Sequence, residues 1–399
     1  MDKKEHLLYI ANSYGGSAVH YHLLRFLDDM GIRLTVFVPL NVNNHCRIGN
    51  QMIDFKVEGS KIIYSTVLRA HHRYLYRKKI KTIVNAVKQE VDLNNISLIH
   101  AAYLCSDGAV AMELSKQYNI PYISAIRNTD VNAYYKILFW QRRYFRKILL
   151  KASKIIFISP CYKKLYTETL ISKNTFAKIK NKILTIPNGI DKIFFDNKKK
   201  SPNEIHSPIK IIFAAYFGSG KNLDKLILAI AALVAKGIQI ELTAVGRGLA
   251  YRKENIDYIK KIEELASQYS WISLLDSMPQ SELLKLFSES DIFAMPSSPE
   301  TFGLVYVEAM TQGLPVIYTK GQGFDGFYPE GKVGYGVDAK NIIDMTNKIE
   351  LIINSYSQFA TNIANLELKE DFSWNTIAKK YKEIYFDLIN NKEKYGKNE

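Results

Sequence analysis

Residues 297–317, which read SSPETFGLVYVEAMTQGLPVI, constrain the fold of this chain more than any other stretch. The apolar run DIFAMP at 291–296 ends in proline, and the apolar run LPVIYT at 314–319 closes the stretch. Short apolar runs bounded in this way are typical of buried strands. A glycine just past a helix often takes a positive φ, so Gly313 marks the end of a helix between the two runs. The stretch therefore predicts a strand, a loop, a helix and a second strand in one unit.

Two glutamates, Glu300 and Glu308, stand eight positions apart in the predicted loop and helix. The N-terminus of a helix offers backbone N–H groups without partners and the positive end of the helix dipole, which suit a phosphate group. A carboxylate further into the first turns can accept hydrogen bonds from vicinal hydroxyls. The ordinary interpretation of such a pair is a capping glutamate and a solvated helix charge. The alternative is a nucleotide site, in which the helix end binds phosphate and the second glutamate binds a diol.

The full pattern P-E-x-F-G-L-x-x-x-E-A-M-x-x-G-x-P-V resembles the E-x(7)-E signature of the retaining glycosyltransferases of family 4. That resemblance implies an α/β architecture of the GT-B type. In this fold two Rossmann-like parallel-sheet domains face each other across a cleft, and a C-terminal helix crosses back to the first domain. The resemblance also implies transfer of a sugar from a nucleotide diphosphate-sugar to a hydroxyl acceptor. The donor is a substrate, and no cofactor is expected.

The resemblance assigns roles to residues of this stretch. Glu308 is expected to hold the ribose of the donor, and Glu300 is expected to contact the sugar. The backbone amides of Phe302, Gly303 and Leu304 are expected to bind the diphosphate, because they lie at the start of the predicted helix.

The remainder of the chain alternates short apolar strands with helical segments, and its length of 399 residues suits two domains. A charged, proline-broken stretch at 196–208 separates two such halves. We expect an acceptor-binding domain over residues 1–195, a linker over 196–208, a nucleotide-sugar-binding domain over 209–372 and a returning helix within 373–399. The run I-P-N-G-I-D at 186–191 also resembles family 4, where it ends the N-terminal domain.

A glycine-rich turn follows the first predicted strand of each half. Gly15 and Gly16 let a ligand approach the backbone closely, although a tight turn is the simpler interpretation. The resemblance favours a ligand, because GT-B enzymes carry such a loop facing the cleft. The second turn, GSGKN at 218–222, contains Lys221, which is either a solvated lysine or a phosphate ligand. The resemblance implies that Lys221 binds the donor diphosphate.

The second turn departs from two known patterns. It fails as a P-loop because Ala215 replaces the first glycine and Asn222 replaces the serine or threonine that holds magnesium. Family 4 enzymes also carry an arginine five residues before the lysine, where this chain has Tyr216. Arg247 could supply the missing diphosphate cation.

The sequence contains no D-x-D pair, the metal clamp of the GT-A glycosyltransferases. We therefore expect no metal site, and a reaction in which lysine, arginine and helix amides stabilise the leaving diphosphate. His20 and His22 have the wrong spacing for one helical face, so a structural role suits them better than metal binding. Arg127 stands where family members place a histidine. It either orients an anionic donor sugar or acceptor, or it pairs with Asp130 at the end of a strand.

Charge is divided unevenly along the chain. Residues 1–192 carry 30 basic and 13 acidic side chains, a balance of +17, whereas residues 193–399 carry 24 and 26, a balance of −2. Such a basic half attracts nucleic acid or an anionic membrane surface, and no nucleic-acid motif accompanies it. The segment 132–151, NAYYKILFWQRRYFRKILLK, interleaves aromatic with basic residues. It is either a helix lying in a membrane interface or a core helix with a basic outer face.

The three cysteines, Cys46, Cys105 and Cys161, are isolated, which indicates a reducing compartment, and the first residues lack the apolar core of a signal peptide. We expect a cytoplasmic enzyme that could be peripheral on the inner face of the cell membrane. Its acceptor is expected to be a lipid-linked or surface polysaccharide intermediate. The alternative is a non-catalytic sugar-nucleotide-binding or scaffold subunit of a glycan assembly complex, made credible by Tyr216 and Arg127.

Overall fold

A computed structural model describes residues 5–16, 18–43, 48–199, 201–202, 204–248 and 253–391. Contacts divide the chain into two compact units. The first unit comprises Met1–Ile158, Tyr162–Asn188 and Trp374–Glu399, and the second comprises Ser159–Cys161 and Gly189–Ser373. Cys46, parts of the predicted linker and residues 392–399 lie outside the described residues.

The first unit is built on a parallel sheet. Its strands are β1 (His6–Ile10), β2 (Arg33–Asn41), β3 (Lys61–Leu68), β4 (Leu98–Ala101), β5 (Tyr122–Ile126), β6 (Lys154–Phe157) and β7 (Ile183–Thr185). They pair in parallel in the order β3-β2-β1-β4-β5-β6-β7. Leu8 and Ile10 pack into the core on one face, and Leu7 and Tyr9 pack into a second core. Helices therefore cover both faces, as a parallel sheet requires.

The second unit is built on a second parallel sheet. Its strands are β8 (Ile209–Ala214), β9 (Ile240–Arg247), β10 (Ile272–Asp276), β11 (Ile292–Ala294), β12 (Val316–Thr319) and β13 (Gly334–Val337). They pair in parallel in the order β10-β9-β8-β11-β12-β13. Both sheets have the strand order of a Rossmann-like doubly wound fold.

Helices connect the strands of both sheets. In chain order the described residues form α1 (Ala18–Asp29), α2 (Tyr76–Glu90), α3 (Asp107–Tyr118), α4 (Tyr135–Ile137), α5 (Arg142–Lys151), α6 (Pro160–Leu165), α7 (Lys173–Ile179), α8 (Lys192–Asp196), α9 (Leu223–Ala235), α10 (Lys253–Ala266), α11 (Gln280–Ser288), α12 (Leu304–Thr311), α13 (Ile342–Asn354), α14 (Tyr356–Ala364), α15 (Leu368–Phe372) and α16 (Trp374–Asn390). None of the helices among the described residues is long and apolar enough to cross a membrane.

Helix α16, the last helix among the described residues, packs within the first unit. Trp374 and Tyr381 share a core with Leu24 of α1. The Tyr385 hydroxyl lies 2.7 Å from Nδ1 of His100 in β4 and forms a buried hydrogen bond with it. Apolar and aromatic residues at helical spacing thus bind α16 to one face of the first sheet.

Strand order locates the edge of each sheet that is suited to ligands. In each doubly wound sheet the chain reverses direction between two central strands, and a crevice opens at their carboxyl ends. In the first unit these strands are β1 and β4, and in the second they are β8 and β11. The loops after β1 and β8 are the two glycine-rich turns predicted from the sequence.

The segment 132–151 does not form the single helix predicted from its composition. It begins in a π turn, Asp130–Tyr134, and continues through α4 and a 3₁₀ turn, Phe139–Gln141, before α5 starts. Leu138 leaves helical geometry, with φ −102° and ψ 48°. The Arg142 guanidinium then donates hydrogen bonds of 2.9 and 3.0 Å to the Tyr135 carbonyl. This side chain takes over a backbone acceptor that a continuous helix would use, and so stabilises the break.

Two features of the second unit differ from the sequence expectation. The division between units falls at residues 188 and 189 rather than at 195, because Phe194 packs its ring against Phe287 of the second unit. Strand β13 lies in a glycine-rich region and was not predicted from the sequence. A Cβ on Gly334 would lie 1.9 Å from the Val316 carbonyl oxygen, so glycine is needed where the two backbones pair.

Candidate active site

The loops that follow β8 and β11 bring Lys221 and Glu300 together. Lys221 Nζ donates hydrogen bonds to Glu300 Oε2 at 2.8 Å and to Ser297 Oγ at 3.0 Å. Both side chains of this ion pair are 13% exposed. Water therefore reaches the pair but screens it less than a surface pair. The crevice edge of the second sheet thus holds a cation and an acid side by side.

The backbone of its own loop holds Glu300 in place. Its Oε1 accepts the Thr301 N–H at 2.9 Å, and its own N–H donates to Gln322 Oε1 at 2.9 Å. Its carbonyl accepts the Gly323 N–H at 3.1 Å. A Cβ on Gly323 would lie 2.5 Å from the Phe302 backbone, so glycine lets the two segments meet. The carboxylate is therefore oriented before any ligand arrives.

Ser297 and Gln322 also contact the candidate site, and neither was predicted from the sequence. Ser297 is fully buried and follows the apolar run of β11 almost directly. A polar residue at the carboxyl end of a switch-point strand is the signal that could have identified it. Gln322 lies 22 positions beyond Glu300 in a glycine-rich loop. No local pattern connects those two residues.

Helix α12 begins at the predicted diphosphate amides. Gly303 precedes the helix with φ +81°, and a Cβ there would lie 2.3 Å from the Tyr306 ring, so a side chain would be strained. Phe302 is buried against neighbouring aromatic rings, which fixes its backbone. Leu304 is the first residue of the helix. The three predicted residues therefore share the helix N-terminus, where backbone N–H groups are available to an anion.

Glu308 lies in the second turn of α12 and is almost fully buried, with 8% of its surface exposed. Burial raises the pKa of its carboxyl to about 8, and the charge of Asp191 contributes to the rise. Asp191 itself caps α8 by accepting the Ile193 N–H at 3.0 Å. In the free protein the Glu308 carboxyl is therefore largely protonated at pH 7. Hydroxyl groups that donate to it would favour the ionised form and lower its pKa.

Tyr216 stands where family 4 enzymes carry an arginine, and Arg247 was predicted as a possible replacement for that cation. The ring centroid of Tyr216 lies 5.4 Å from Lys221 Nζ, so Tyr216 gives Lys221 a cation–π contact instead of a second charge. Arg247 Nε donates to Asp276 Oδ1 at 2.8 Å, and its Nη1 lies 3.8 Å from Glu263 Oε1. The Arg247 charge is thus balanced by two carboxylates, and its role toward a diphosphate stays a prediction.

In the first unit, Gly15 and Gly16 lie at the corresponding switch point. They form a 3₁₀ turn, Tyr14–Gly16, directly after β1. The buried Tyr14 hydroxyl donates to the Gln51 carbonyl at 2.8 Å and holds this turn. The Gly16 N–H donates to the Ser13 carbonyl at 3.0 Å. The structure therefore forms the predicted tight turn, and binding of a ligand to it stays a prediction.

Arg127 is buried at the carboxyl end of β5, with 6% of its surface exposed. Its Nε donates to the Ala102 carbonyl at 3.0 Å, and its guanidinium lies 5.6 Å from the Tyr103 ring centroid. Asp130 accepts the backbone N–H of Arg127 at 3.0 Å. The contacts of Arg127 with Ala102 and Tyr103 join the loop after β5 to the loop after β4. Arg127 thus has a structural position at the crevice edge, and a contact with a donor or acceptor stays a prediction.

His20, which was expected to be structural, is buried in the same unit. Its Nδ1 lies 2.7 Å from the Tyr9 hydroxyl. Burial lowers the pKa of this imidazole well below its usual range, and the Arg127 charge lowers it further. The ring is therefore neutral at physiological pH and acts as a hydrogen-bond partner in the core.

Comparison with known families decides what this arrangement represents. Residues 14–192 match the family described as Glycosyltransferase Family 4, and residues 194–371 match the family described as Glycosyl transferases group 1. The two matches follow one another and together span most of the chain. The chain belongs to glycosyltransferase family 4.

Relatives of this family 4 glycosyltransferase match it over different lengths. An uncharacterized glycosyltransferase of Methanocaldococcus jannaschii is 26% identical over 324 residues, which are 79% of this chain and 84% of that protein. A D-inositol 3-phosphate glycosyltransferase of Corynebacterium glutamicum is 28% identical over 204 residues, about half of each chain.

Solved structures establish the GT-B fold of this family 4 glycosyltransferase. Sucrose-phosphate synthase from Thermosynechococcus elongatus superimposes with a TM-score of 0.72 at 18% identity, covering 97% of this chain and 100% of the other. Anabaena HepE, solved in complex with UDP and glucose, superimposes with a TM-score of 0.65 at 17% identity, covering 96% and 100%. The expectation of two Rossmann-like parallel-sheet domains is therefore confirmed.

Proposed function

We propose that this chain is a retaining glycosyltransferase that moves a sugar from a nucleotide diphosphate-sugar to a hydroxyl acceptor. The observation that carries the proposal is the Lys221–Glu300 pair beside the N-terminus of α12, with Glu308 buried further along the helix. A cation and helix amides suit a diphosphate, and a buried carboxyl suits a ribose diol. The binding of UDP by the similarly folded Anabaena HepE supports a nucleotide ligand.

In the proposed reaction each of the candidate site residues in the second unit has a separate role. Lys221 and the amides around Gly303 stabilise the charge that develops on the departing diphosphate. Glu308 fixes the ribose, and Glu300 positions the sugar. The acceptor hydroxyl attacks on the face from which the diphosphate leaves, so the anomeric configuration is retained. We propose a lipid-linked or surface polysaccharide intermediate as the acceptor, at the cytoplasmic leaflet.

The test is an assay of the purified protein against a panel of nucleotide diphosphate-sugars, with water or simple sugars as acceptor. Release of the nucleoside diphosphate is measured, and the anomer first formed is determined by NMR. We expect release from at least one donor, and a product with the donor's configuration. An inverted product would overturn the retaining mechanism.

Transfer is expected to survive removal of metals. Because Lys221 and helix amides are proposed to neutralise the diphosphate, a chelator such as EDTA should leave the rate unchanged. A metal-dependent GT-A glycosyltransferase assayed in parallel would show that the chelator is effective. Loss of turnover in EDTA and its recovery with magnesium would contradict the metal-free proposal.

The second candidate function is a non-catalytic sugar-nucleotide-binding or scaffold subunit. Two observations favour it: Tyr216 supplies no charge where family members carry an arginine, and Arg127 is buried where they carry a histidine. Nucleotide-sugar binding without hydrolysis or transfer, across the whole donor panel, would favour this alternative. Turnover would exclude it.

A further inference from the structure

An apolar face stands out on the surface of the first unit. Five large apolar side chains are exposed in two short segments, which we call the anchor face: Tyr74, Leu75, Ile137, Phe139 and Trp140. Tyr74 is 79% exposed, and Trp140 is 59% exposed. Large apolar side chains that cluster on a surface mark an interaction site, whereas single ones need no explanation.

The two segments of the anchor face are neighbours in space. Tyr76, which follows Leu75, packs edge-on against Tyr134 with ring centroids 6.3 Å apart. The Arg77 guanidinium lies 3.5 Å from the ring centroid of Tyr144. The start of α2 and the region from α4 to α5 are therefore in contact, and both carry exposed apolar side chains.

The fold holds the anchor face outward. In the segment 132–151 the positions that point inward are already filled, because Tyr135 and Phe145 are buried and Leu138 packs against the same core. The Arg142 hydrogen bonds to the Tyr135 carbonyl hold the break in the helix. The rings of Phe139 and Trp140 then contact each other, with centroids 5.1 Å apart. Most aromatic residues of this segment thus belong to the core, and the 3₁₀ turn presents the remaining two to solvent.

The residues around the anchor face are basic. Residues 68–81 contain six lysine and arginine residues and no acid, and residues 132–151 also contain six and no acid. Several of these side chains are exposed: Arg73, Arg77, Lys78, Lys136, Arg143, Arg146 and Lys147. Cationic side chains around exposed aromatic and aliphatic ones suit the headgroup region of an anionic bilayer. Nucleic acid or an acidic protein would account for the charge but would not require exposed Ile137.

We propose that the anchor face seats this protein on an anionic membrane surface, with the apolar side chains at headgroup depth and the basic side chains among the lipid phosphates. The proposal extends the proposed function, since a lipid-linked acceptor is found at such a surface. Membrane binding is nevertheless measured without donor or acceptor. Failure of the anchor face and failure of the transferase assignment are therefore separate results.

The experiment is co-sedimentation of the full chain with vesicles of phosphatidylcholine alone or phosphatidylcholine mixed with phosphatidylglycerol. We expect binding to the anionic vesicles only, weakened by salt because the Debye length is about 8 Å at physiological ionic strength. Phe139→Ser combined with Trp140→Ser should lower the partition coefficient at least about tenfold. The matched control, Ile343→Ser combined with Leu351→Ser, removes two exposed apolar side chains from α13 of the second unit and should not change it.

The contribution of local charge is tested in the same way. Arg143→Glu combined with Arg146→Glu should abolish most of the binding. Lys285→Glu combined with Lys340→Glu, exposed positions in the second unit, makes the same change in net charge and should have little effect. Circular dichroism and the melting temperature confirm that each variant folds. Equal binding to both vesicle types, no binding to either, or equal losses in the test and control variants would overturn the proposal.

Discussion

Lys221→Ala is expected to reduce sugar transfer by about 10- to 150-fold, because a hydrogen bond to a charged group contributes roughly 1.5–3 kcal/mol and each 1.4 kcal/mol is a factor of ten in rate. The Lys221 ammonium lies 2.8 Å from Glu300 Oε2 at the edge where we propose that the diphosphate binds. Its removal leaves the leaving diphosphate without a cation and leaves the Glu300 carboxylate without its ion-pair partner. The affinity for the nucleoside diphosphate product should fall as well.

Lys225→Ala is the matched control for this variant. Lys225 is the next lysine along the chain, and its Nζ lies 3.7 Å from Asp224 Oδ2 instead of facing Glu300. The control should retain the wild-type rate within about twofold, because surface ion pairs contribute little. Initial rates at saturating donor, with melting temperatures as a check on folding, measure the effect. A Lys221→Ala rate equal to that of Lys225→Ala would remove Lys221 from the mechanism.

Glu308→Gln is expected to weaken donor binding by about 1.5–3 kcal/mol, which corresponds to roughly 10- to 150-fold in the dissociation constant. The amide keeps the shape of the side chain and loses the ionised acceptor for the ribose diol. Glu350→Gln, at a surface glutamate paired with Lys236 at 2.7 Å, is the matched control. Calorimetric titration of the donor into both variants measures the difference. An unchanged dissociation constant in Glu308→Gln would exclude a ribose contact.

The pH dependence of binding identifies the role of Glu308 more specifically. Its pKa in the free protein is about 8, so the carboxyl must lose its proton to accept both ribose hydroxyls. Wild-type donor affinity should therefore rise with pH up to about 8, by at most tenfold per unit, and level off above it. In Glu308→Gln this dependence should be lost. A wild-type affinity that is flat between pH 6 and pH 8 would contradict the ionised form as the binding species.

The same pKa makes an independent prediction for the stability of the ligand-free protein. Because the folded pKa lies above the ordinary glutamate value, the folded state holds the proton more tightly than the unfolded state. The tighter proton binding by the folded state therefore stabilises the protein at pH 4, and this stabilisation is lost as the pH rises toward 8. Glu308→Gln should therefore gain stability relative to wild type as the pH rises.

Much of the local geometry of the candidate site could be predicted from the sequence, because most of its residues lie in one short stretch. The loop, the glycine that starts α12 and the two glutamates lie within one strand–helix–strand unit. Lys221 comes from another part of the chain. It was predicted as a phosphate ligand because it lies in a glycine-rich turn between a strand and a helix. Parallel strands place the carboxyl ends of β8 and β11 at one edge, which explains why these separate patterns converge.

Other features of the fold and of the candidate site depend on individual contacts between residues, which sequence patterns do not show. Composition predicted a continuous helix at 132–151, but the guanidinium of Arg142 binds a backbone carbonyl seven residues earlier. The sequence offered Arg247 as a diphosphate cation but did not predict that Asp276 pairs with it from a neighbouring strand. Strand β13 was missed because its glycines are unfavourable for strand in isolation, and only the close approach of β12 requires them.

The most direct test of the central claim, a nucleotide diphosphate site at the β8–β11 edge, is thermal denaturation of the wild-type protein with a panel of nucleoside diphosphates and their sugars. A specific ligand at 100 times its dissociation constant should add about 2.7 kcal/mol to the free energy of unfolding. We predict that at least one nucleotide raises the melting temperature of the wild-type protein and that the rise is lost when Lys221→Ala and Glu308→Gln are combined. If no nucleotide stabilises the wild type, or if the double variant is stabilised equally, the site does not bind a nucleotide diphosphate through these residues.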